Sequence, residues 1–467
     1  MCLNPKVIVI GLDGATWDLL KPWAEKGFLP TFKKLLSSGT WGELESTVPA
    51  ITFPAWECLF TGQNPGKLGV FDFTRVEGNK IEVNTPNDFK GIPLWNVLNA
   101  HGYRACVINV PTSKVEEIYG AMVGGPFCDE GEVFPPELTP VLKKLGYEQY
   151  PTELTKVFMT HSNSPPPLEL IRKTISSRFK LARYLIEKEE PDFLALVIFV
   201  IDNLQHFYWG EPILLEAWKA IDAEIGKFVS EFKGSTFVLV SDHGFTEYRK
   251  TFYTSKFLES EGLASYRVPP SFKILKRVNQ SALINFARKT KIEKLLFRFF
   301  SKELIQKVLF SFPSEEGRIG VKGLEKLIDW EKSKCIPLGD SIYLTDESVK
   351  EKLREKLMKL EVVKNVYFRE EVYRGEWVEH APNIIIEPRE GVRILDTPLT
   401  SSIISERVGK WKGVHKTQGI VLFHGPEIKP SRMNAKIYDV APTILSFFGA
   451  KSSSMDGRIL FTEEQNA

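Results

Sequence analysis

The sequence predicts an α/β fold: a doubly wound, mostly parallel sheet flanked by helices and interrupted by inserted cap-like segments. Three observations carry that prediction. Short β-branched runs alternate with helix-length stretches, the pattern that crossover connections impose on a parallel sheet. The punctuation recurs as well, with Pro at helix starts and Gly at helix ends. Finally, three apolar runs lead into an Asp as the chain would leave the sheet: VIVIGLD at Asp13, FLALVIFVID at Asp202 and TFVLVSDH at Asp242.

Lys6 to Leu12 reads as the first buried strand. Pro30 to Ser38 reads as a helix that Gly39 stops. Pro93 to His101 repeats that grammar, with Gly102 as the stop before a strand over Tyr103 to Val110. Phe193 to Ile201 and Thr236 to Val240 are further apolar strands, separated by a helical stretch long enough for a crossover. Gly419 to Phe423 and then Asp439 to Phe448 close the chain in the same manner, so the sheet draws on both ends of the sequence. Residues 1–265 and 391–467 therefore form the expected core. A smaller insertion at about 125–167 and a basic, helical and mixed insertion at 266–390 do not read as sheet units.

At 467 residues the chain has ample length for a large core, and 43% hydrophobic with 26% charged residues is ordinary globular usage. A formal net charge of +2 supplies no global field for a nucleic-acid polymer, and none is expected as a partner. Cys2, Cys58, Cys106, Cys128 and Cys335 are odd in number and lack C-x-x-C spacing, which points to free thiols in a reducing, cytoplasmic setting. The start lacks the basic head and long apolar run of a signal peptide. The longest apolar run, Phe193 to Ile201, is less than half of the roughly 20 residues a membrane-spanning helix needs. Between 265 and 310 eleven basic residues stand against two acidic ones, with apolar residues near helical spacing. A solvated amphipathic helix is the plainer reading, and peripheral contact with an anionic surface the alternative.

The three strand-end carboxylates matter because ligands of open α/β sheets bind outside the carboxyl ends of strands. Asp202 and His206 stand four apart and share one face if a helical turn begins there, while Asp242 and His243 are adjacent before the flexible Gly244. Taken singly, such an Asp is usually a cap or turn residue. Taken together, carboxylates with neutral imidazoles suit Zn, Mn or Fe better than Mg or Ca, and two divalent ions are the natural count.

The ordered motifs GLDG, T-F-P-A-W with T-G and N-P-G, D-x-x-x-H, S-D-H-G-F and a late G-x-H resemble the alkaline phosphatase superfamily, nearest its type I phosphodiesterase and nucleotide pyrophosphatase branch. Asp439-Val440-Ala441-Pro442-Thr443 and Met455-Asp456-Gly457 resemble its closing helix and loop. The resemblance implies one metal on Asp202, His206 and His415, and another on Asp13, Asp242, His243 and Thr52, both usually zinc. It also implies Thr52 as nucleophile, forming a phosphothreonine in one in-line displacement that water resolves in a second. Pro54 places Thr52 just before a helix N-terminus that favours phosphate; a plain capping role is the alternative. Phe53 matches a base-stacking position of nucleotide-cleaving relatives. Lys416 follows His415 where an Arg is common, and is placed either on phosphate or in solvent. Phe73 stands where those relatives carry an Asn, a departure from nucleotide specificity.

A small phosphate ester is thus the expected substrate, diesters and pyrophosphates ahead of monoesters. A phosphomonoesterase and a phosphoglycerate mutase-like phosphotransferase are the enzymatic alternatives. A noncatalytic binding protein retaining the fold is the third reading, but such a protein is expected to have lost ligands, and all seven expected metal-site residues are present.

Overall fold

The computed structural model describes residues 4–129, 131–159, 165–268 and 320–461. Most of the basic stretch 265–310 lies outside them. Among the described residues, no helix is long and apolar enough to cross a membrane.

A ten-stranded sheet organises the chain. Its order is Ser431–Arg432, Thr40–Glu45, Gln418–His424, Thr236–Val240, Val7–Leu12, Phe193–Ile198, Ala105–Ile108, Gly120–Val123 and Val133–Phe134, with Ala435–Lys436 also paired to Thr40–Glu45. The five strands from Thr236–Val240 to Gly120–Val123 are mutually parallel. Gln418–His424, expected to close the chain as one more sheet strand, runs antiparallel to both neighbours. An apolar run reports burial and not direction, so only the pairing reveals this.

Alternation along each strand builds two cores. Ile8, Ile10 and Leu12 face one layer with Leu194, Leu196, Phe237 and Leu239, covered by Leu20, Phe32, Phe179, Trp218 and Ile225 from helices. Val7 and Val9 face the other with Ala195, Val197, Val238 and Val240, covered by Trp56, Leu59 and Phe60 of the helix Thr52–Thr61 and by Ile444 of Val440–Phe447. Strands with both faces covered must be apolar throughout, and Val7–Leu12 is buried at all six positions. Gly11 is required by close approach: a Cβ there would meet Trp56 at 2.5 Å and Val197 at 2.8 Å.

Sequence and structure differ at two site-bearing elements. The run Phe193 to Ile201 is strand only to Ile198; the helix Val200–Tyr208 follows, so Asp202 lies in its first turn rather than at a strand end. Thr52 is the first residue of its helix, with Ile51 as the cap and Pro54 in the first turn. The capping alternative fails, because that helix has no side-chain cap.

The described part of 266–390 carries an antiparallel sheet, in the order Cys335–Leu338, Ser341–Leu344, Ile384–Pro388 and Val363–Phe368. Leu353 and Leu357 of the helix Lys350–Met358 pack with Ile342, Val366, Ile384 and Ile386 in a third core, which also takes Phe252, Phe257, Val392 and Ile394 from the segments flanking the insertion.

Candidate active site

The C-terminal edge of the parallel strands collects the expected residues. Asp13 follows Val7–Leu12, and Asp242 and His243 follow Thr236–Val240. His415 comes from Gly413–Lys416, which pairs antiparallel with Gly244–Glu247 and sets His415 opposite Phe245. Asp202 and His206 share one face of Val200–Tyr208.

Ligand-type atoms converge in two overlapping groups, Asp13 with Asp242 and His243, and Asp202 with His243 and His415, each within 4.8 Å. His206 joins the second group: its Nε2 is 3.5 Å from Asp202 Oδ1 and 3.0 Å from His415 Nε2, itself 3.3 Å from the same carboxylate oxygen. The Thr52 hydroxyl lies 3.2 Å from His243 Nε2. All seven residues predicted from the sequence thus meet in one place, and His243 stands in both groups.

Backbone carbonyls orient the imidazoles. His206 Nδ1 is 3.0 Å from Gly413 O, His415 Nδ1 is 3.0 Å from Ala50 O, and His243 Nδ1 is 3.2 Å from Gly244 O. A carbonyl only accepts, so each Nδ1 serves as the donor, which leaves the Nε2 of a neutral ring to turn a lone pair inward, as a metal ligand requires. The carboxylates are aimed similarly. Trp56 Nε1 donates to Asp13 Oδ2 at 2.8 Å, and the Gly14 amide donates to Asp242 Oδ1 at 3.1 Å. Gln205, also buried, donates to Gly14 O at 2.8 Å and fixes that turn.

The donor set fits divalent cations. Among the described residues, Asp13 Oδ1, Asp202 Oδ1 and Asp242 Oδ2 are buried without a hydrogen-bond partner, a costly state for a charged oxygen unless a cation faces it. His206 Nε2 and His415 Nε2 face each other at 3.0 Å beside Asp202 Oδ1, a convergence of ligand-type atoms that suits a cation between them. Burial, then Asp242 and Asp202, pushes Asp13 well above the usual carboxylate range. Burial lifts Asp242 to about 7. Burial also acts on Asp202, but His206, His415 and His243 outweigh it and hold that carboxyl at about 2. Burial drives His206 down to about 3 and His243 well below its ordinary value. His415 rises, because its Asp202 contact outweighs burial. Carboxylates with imidazole nitrogens match Zn, Mn or Fe.

Two further candidates land differently. Phe53 is 1% exposed, its ring enclosed by those of Phe73, Phe89 and Phe127 at 5.1, 5.3 and 5.7 Å, which leaves no free face for a base. Lys416 extends its ammonium to Asp18 at 2.5 Å. Sequence reasoning did not single out Trp56, Gln205, Asp18 or Trp411, whose ring stacks on His206 at 3.7 Å. Trp56 alone carried a signal, as part of T-F-P-A-W.

Residues 7–427 match the family model for type I phosphodiesterase / nucleotide pyrophosphatase. Phosphonoacetate hydrolase from Sinorhizobium meliloti 1021, in complex with phosphonoformate, superposes with a TM-score of 0.59 at 15% identity, covering 95% of each chain. Murine ectonucleotide pyrophosphatase / phosphodiesterase 5 gives 0.56 at 13% identity, covering 99% of this chain and 100% of that one. A variant of the alkaline phosphatase PafA gives 0.57 at 14% identity, with 97% and 98% covered. A search of curated proteins finds no match. The structural likenesses establish an alkaline phosphatase-like fold, and the family match over nearly the whole chain establishes the class: the chain belongs to the type I phosphodiesterase / nucleotide pyrophosphatase family and is a hydrolase of phosphate esters.

Proposed function

We propose that the chain hydrolyses phosphodiesters or pyrophosphates through a phosphothreonine at Thr52. One observation carries the reading: the Thr52 hydroxyl, on the first residue of a helix, faces the single imidazole common to both ligand groups. Asp202, His206 and His415 would hold one divalent cation, and Asp13, Asp242 and His243 the other with Thr52, zinc first and manganese or iron as alternatives. Bound there, such ions supply Lewis acidity at the attacking and leaving oxygens.

The chain's own residues do the rest. With His243 Nδ1 committed to Gly244 O, its Nε2 faces inward, and Thr52 Oγ1, 3.2 Å away, would share the cation that this ring holds. The helix start at Thr52 has amides without intrahelical acceptors and the positive end of a macrodipole, which suits an anionic phosphoryl group. Thr52 Oγ attacks phosphorus in line, and the bond to the departing alcohol or phosphate breaks as that oxygen takes a proton. Water then attacks the phosphothreonine, the phosphorus–Oγ bond breaks, and the hydroxyl regains its proton.

Diesters rank ahead of monoesters because the surroundings of Thr52 are apolar. Phe53, Phe73, Phe89 and Phe127 cluster beside it, and Lys416, the base best placed by the sequence to offset a dianion, is held by Asp18. The test compares kcat/KM for p-nitrophenyl phosphate and for its methyl diester, with the same added metal. A diester preference is expected. A monoester preference of tenfold or more, about 1.4 kcal/mol at the transition state, reverses the assignment.

A further inference from the structure

The small insertion sends one side chain across the candidate active site. Phe127 lies 5.7 Å, ring to ring, from Phe53, which follows the nucleophile Thr52, and 5.7 Å from Phe199, the cap residue of the helix bearing Asp202 and His206. It also meets Phe73 at 5.3 Å. Phe127 therefore bridges the nucleophile helix and the metal-ligand helix, and it remains 36% exposed although the Phe53 ring beneath it is covered. Tyr150, from the same insertion, packs on Phe199 at 5.9 Å.

The backbone behind Phe127 is tied down on several sides. The Gln149 amide donates to Gly125 O, and Gln149 Oε1 accepts from the Gly131 amide at 3.1 Å. Cys128 Sγ donates to Ser113 O at 2.8 Å. Gly125 runs so close to Val110 that a Cβ would sit 2.1 Å from its carbonyl oxygen. Arg178, buried and stacked on Tyr147 at 4.7 Å, donates to Gln149 O at 2.6 Å and so anchors the clamp to the long helix Leu168–Glu189. Gln149, Ser113 and Val110 confine the backbone on both flanks of Phe127, which makes it a fixed wall rather than a loose flap.

We infer that Phe127 is a specificity-determining residue: it fills the space over Phe53 where a large flat substituent of the phosphate ester would stack, and so restricts the enzyme to esters with small organic substituents. The inference rests on the phosphodiesterase reading above and narrows its substrate class. Ring–ring packing with Phe53, Phe73 and Phe199 is the interaction a planar substituent would otherwise make. A nucleoside must displace Phe127, whereas a methyl group need not. Truncating the ring opens the space without touching the ligand groups.

The experiment measures kcat/KM for the p-nitrophenyl diesters of methyl phosphate and of thymidine 5′-monophosphate, using metal-loaded wild type, Phe127→Ala and Gln149→Ala. The wild type should prefer the methyl ester. In Phe127→Ala the thymidine-to-methyl ratio should rise at least tenfold, and in Gln149→Ala it should rise by less, because the wall is freed but not removed. Phe127→Trp should lower it. AMP binding by calorimetry is the second readout and needs no turnover: Phe127→Ala should bind AMP at least tenfold more tightly than wild type. A wild type that takes both esters equally, or a Phe127→Ala ratio and AMP affinity that do not rise, overturns the inference. Failure of every form on both diesters, with AMP affinity still raised in Phe127→Ala, sinks the diesterase reading and leaves Phe127 as the wall.

Discussion

The two halves of the site are built from the same residue types but left in opposite electrostatic states. Around Asp13 and Asp242 two carboxyls are buried with a single imidazole, and burial raises both above their ordinary range. Around Asp202 one carboxyl faces three imidazoles and is held at about 2. The first half has an excess of negative charge that protons relieve when no cation is present. In the second half the surrounding imidazoles favour the ionised acid, although its Oδ1 has no hydrogen-bond partner among the described residues. A cation therefore meets a different setting in each half: two acids that repel each other in one, and an acid ringed by imidazoles in the other. His243 joins them, its ring stacked on His415 at 3.6 Å.

The largest effect should come from emptying both halves. Thorough chelation is expected to reduce diester hydrolysis to background, and Zn, Mn or Fe should restore it. Elemental analysis of the purified protein should find up to two equivalents of divalent metal. Full activity after chelation would remove the basis for comparing the halves at all.

Next in size is the nucleophile that faces both. Thr52→Ala should lose at least about a thousandfold in kcat/KM while keeping its thermal midpoint, and Thr52→Ser should recover part of the loss. Turnover near wild type in the Ala variant would exclude a covalent step here.

The comparison itself is sharpened by the histidines. His243→Ala removes an imidazole from the Asp13 half and should leave about one equivalent of metal, held by the Asp202 half. His206→Ala touches only the Asp202 half and should leave about one equivalent bound. Loss of both equivalents in either variant would mean that the halves do not fill separately.

Much of this was legible in the sequence, because metal ligands must sit where strands end and the motifs bring strand and ligand together. Val7–Leu12 with Asp13 and Thr236–Val240 with Asp242 read directly. Asp202 read as a strand end because FLALVIFVID is apolar throughout, and burial in a helix and burial in a strand look alike over so short a run. The antiparallel course of Gln418–His424 was hidden for a related reason, since its partners lie far away in the sequence. The role of 125–167 was least legible. Gln149 reaches back to Gly125, Arg178 reaches Gln149, and Phe127 reaches Phe53; such long-range contacts leave no periodicity.

A buried acid outside both ligand groups isolates what burial alone does, and its effect falls on stability rather than on turnover. Glu57 lies on the same helix as Thr52, 4% exposed, with Thr112 Oγ1 donating to its Oε1 at 3.0 Å. Burial raises it from 4.5 to about 8, slightly opposed by the Thr112 hydrogen bond. Below about pH 4.5 folded and unfolded states both hold the proton, so the group favours neither. As pH rises from there to 8, the folded state keeps a proton that the unfolded state has released, and stability falls with a limiting slope of about 1.4 kcal/mol per pH unit. Glu57→Gln keeps an acceptor for Thr112 and cannot ionise. Denaturant midpoints should therefore differ little between wild type and Glu57→Gln near pH 5, with the variant gaining steadily up to pH 8 and levelling off above it. Parallel curves for the two proteins would show that Glu57 is ionised in the fold, and that burial without a cation is not what separates it from the acids of the metal site.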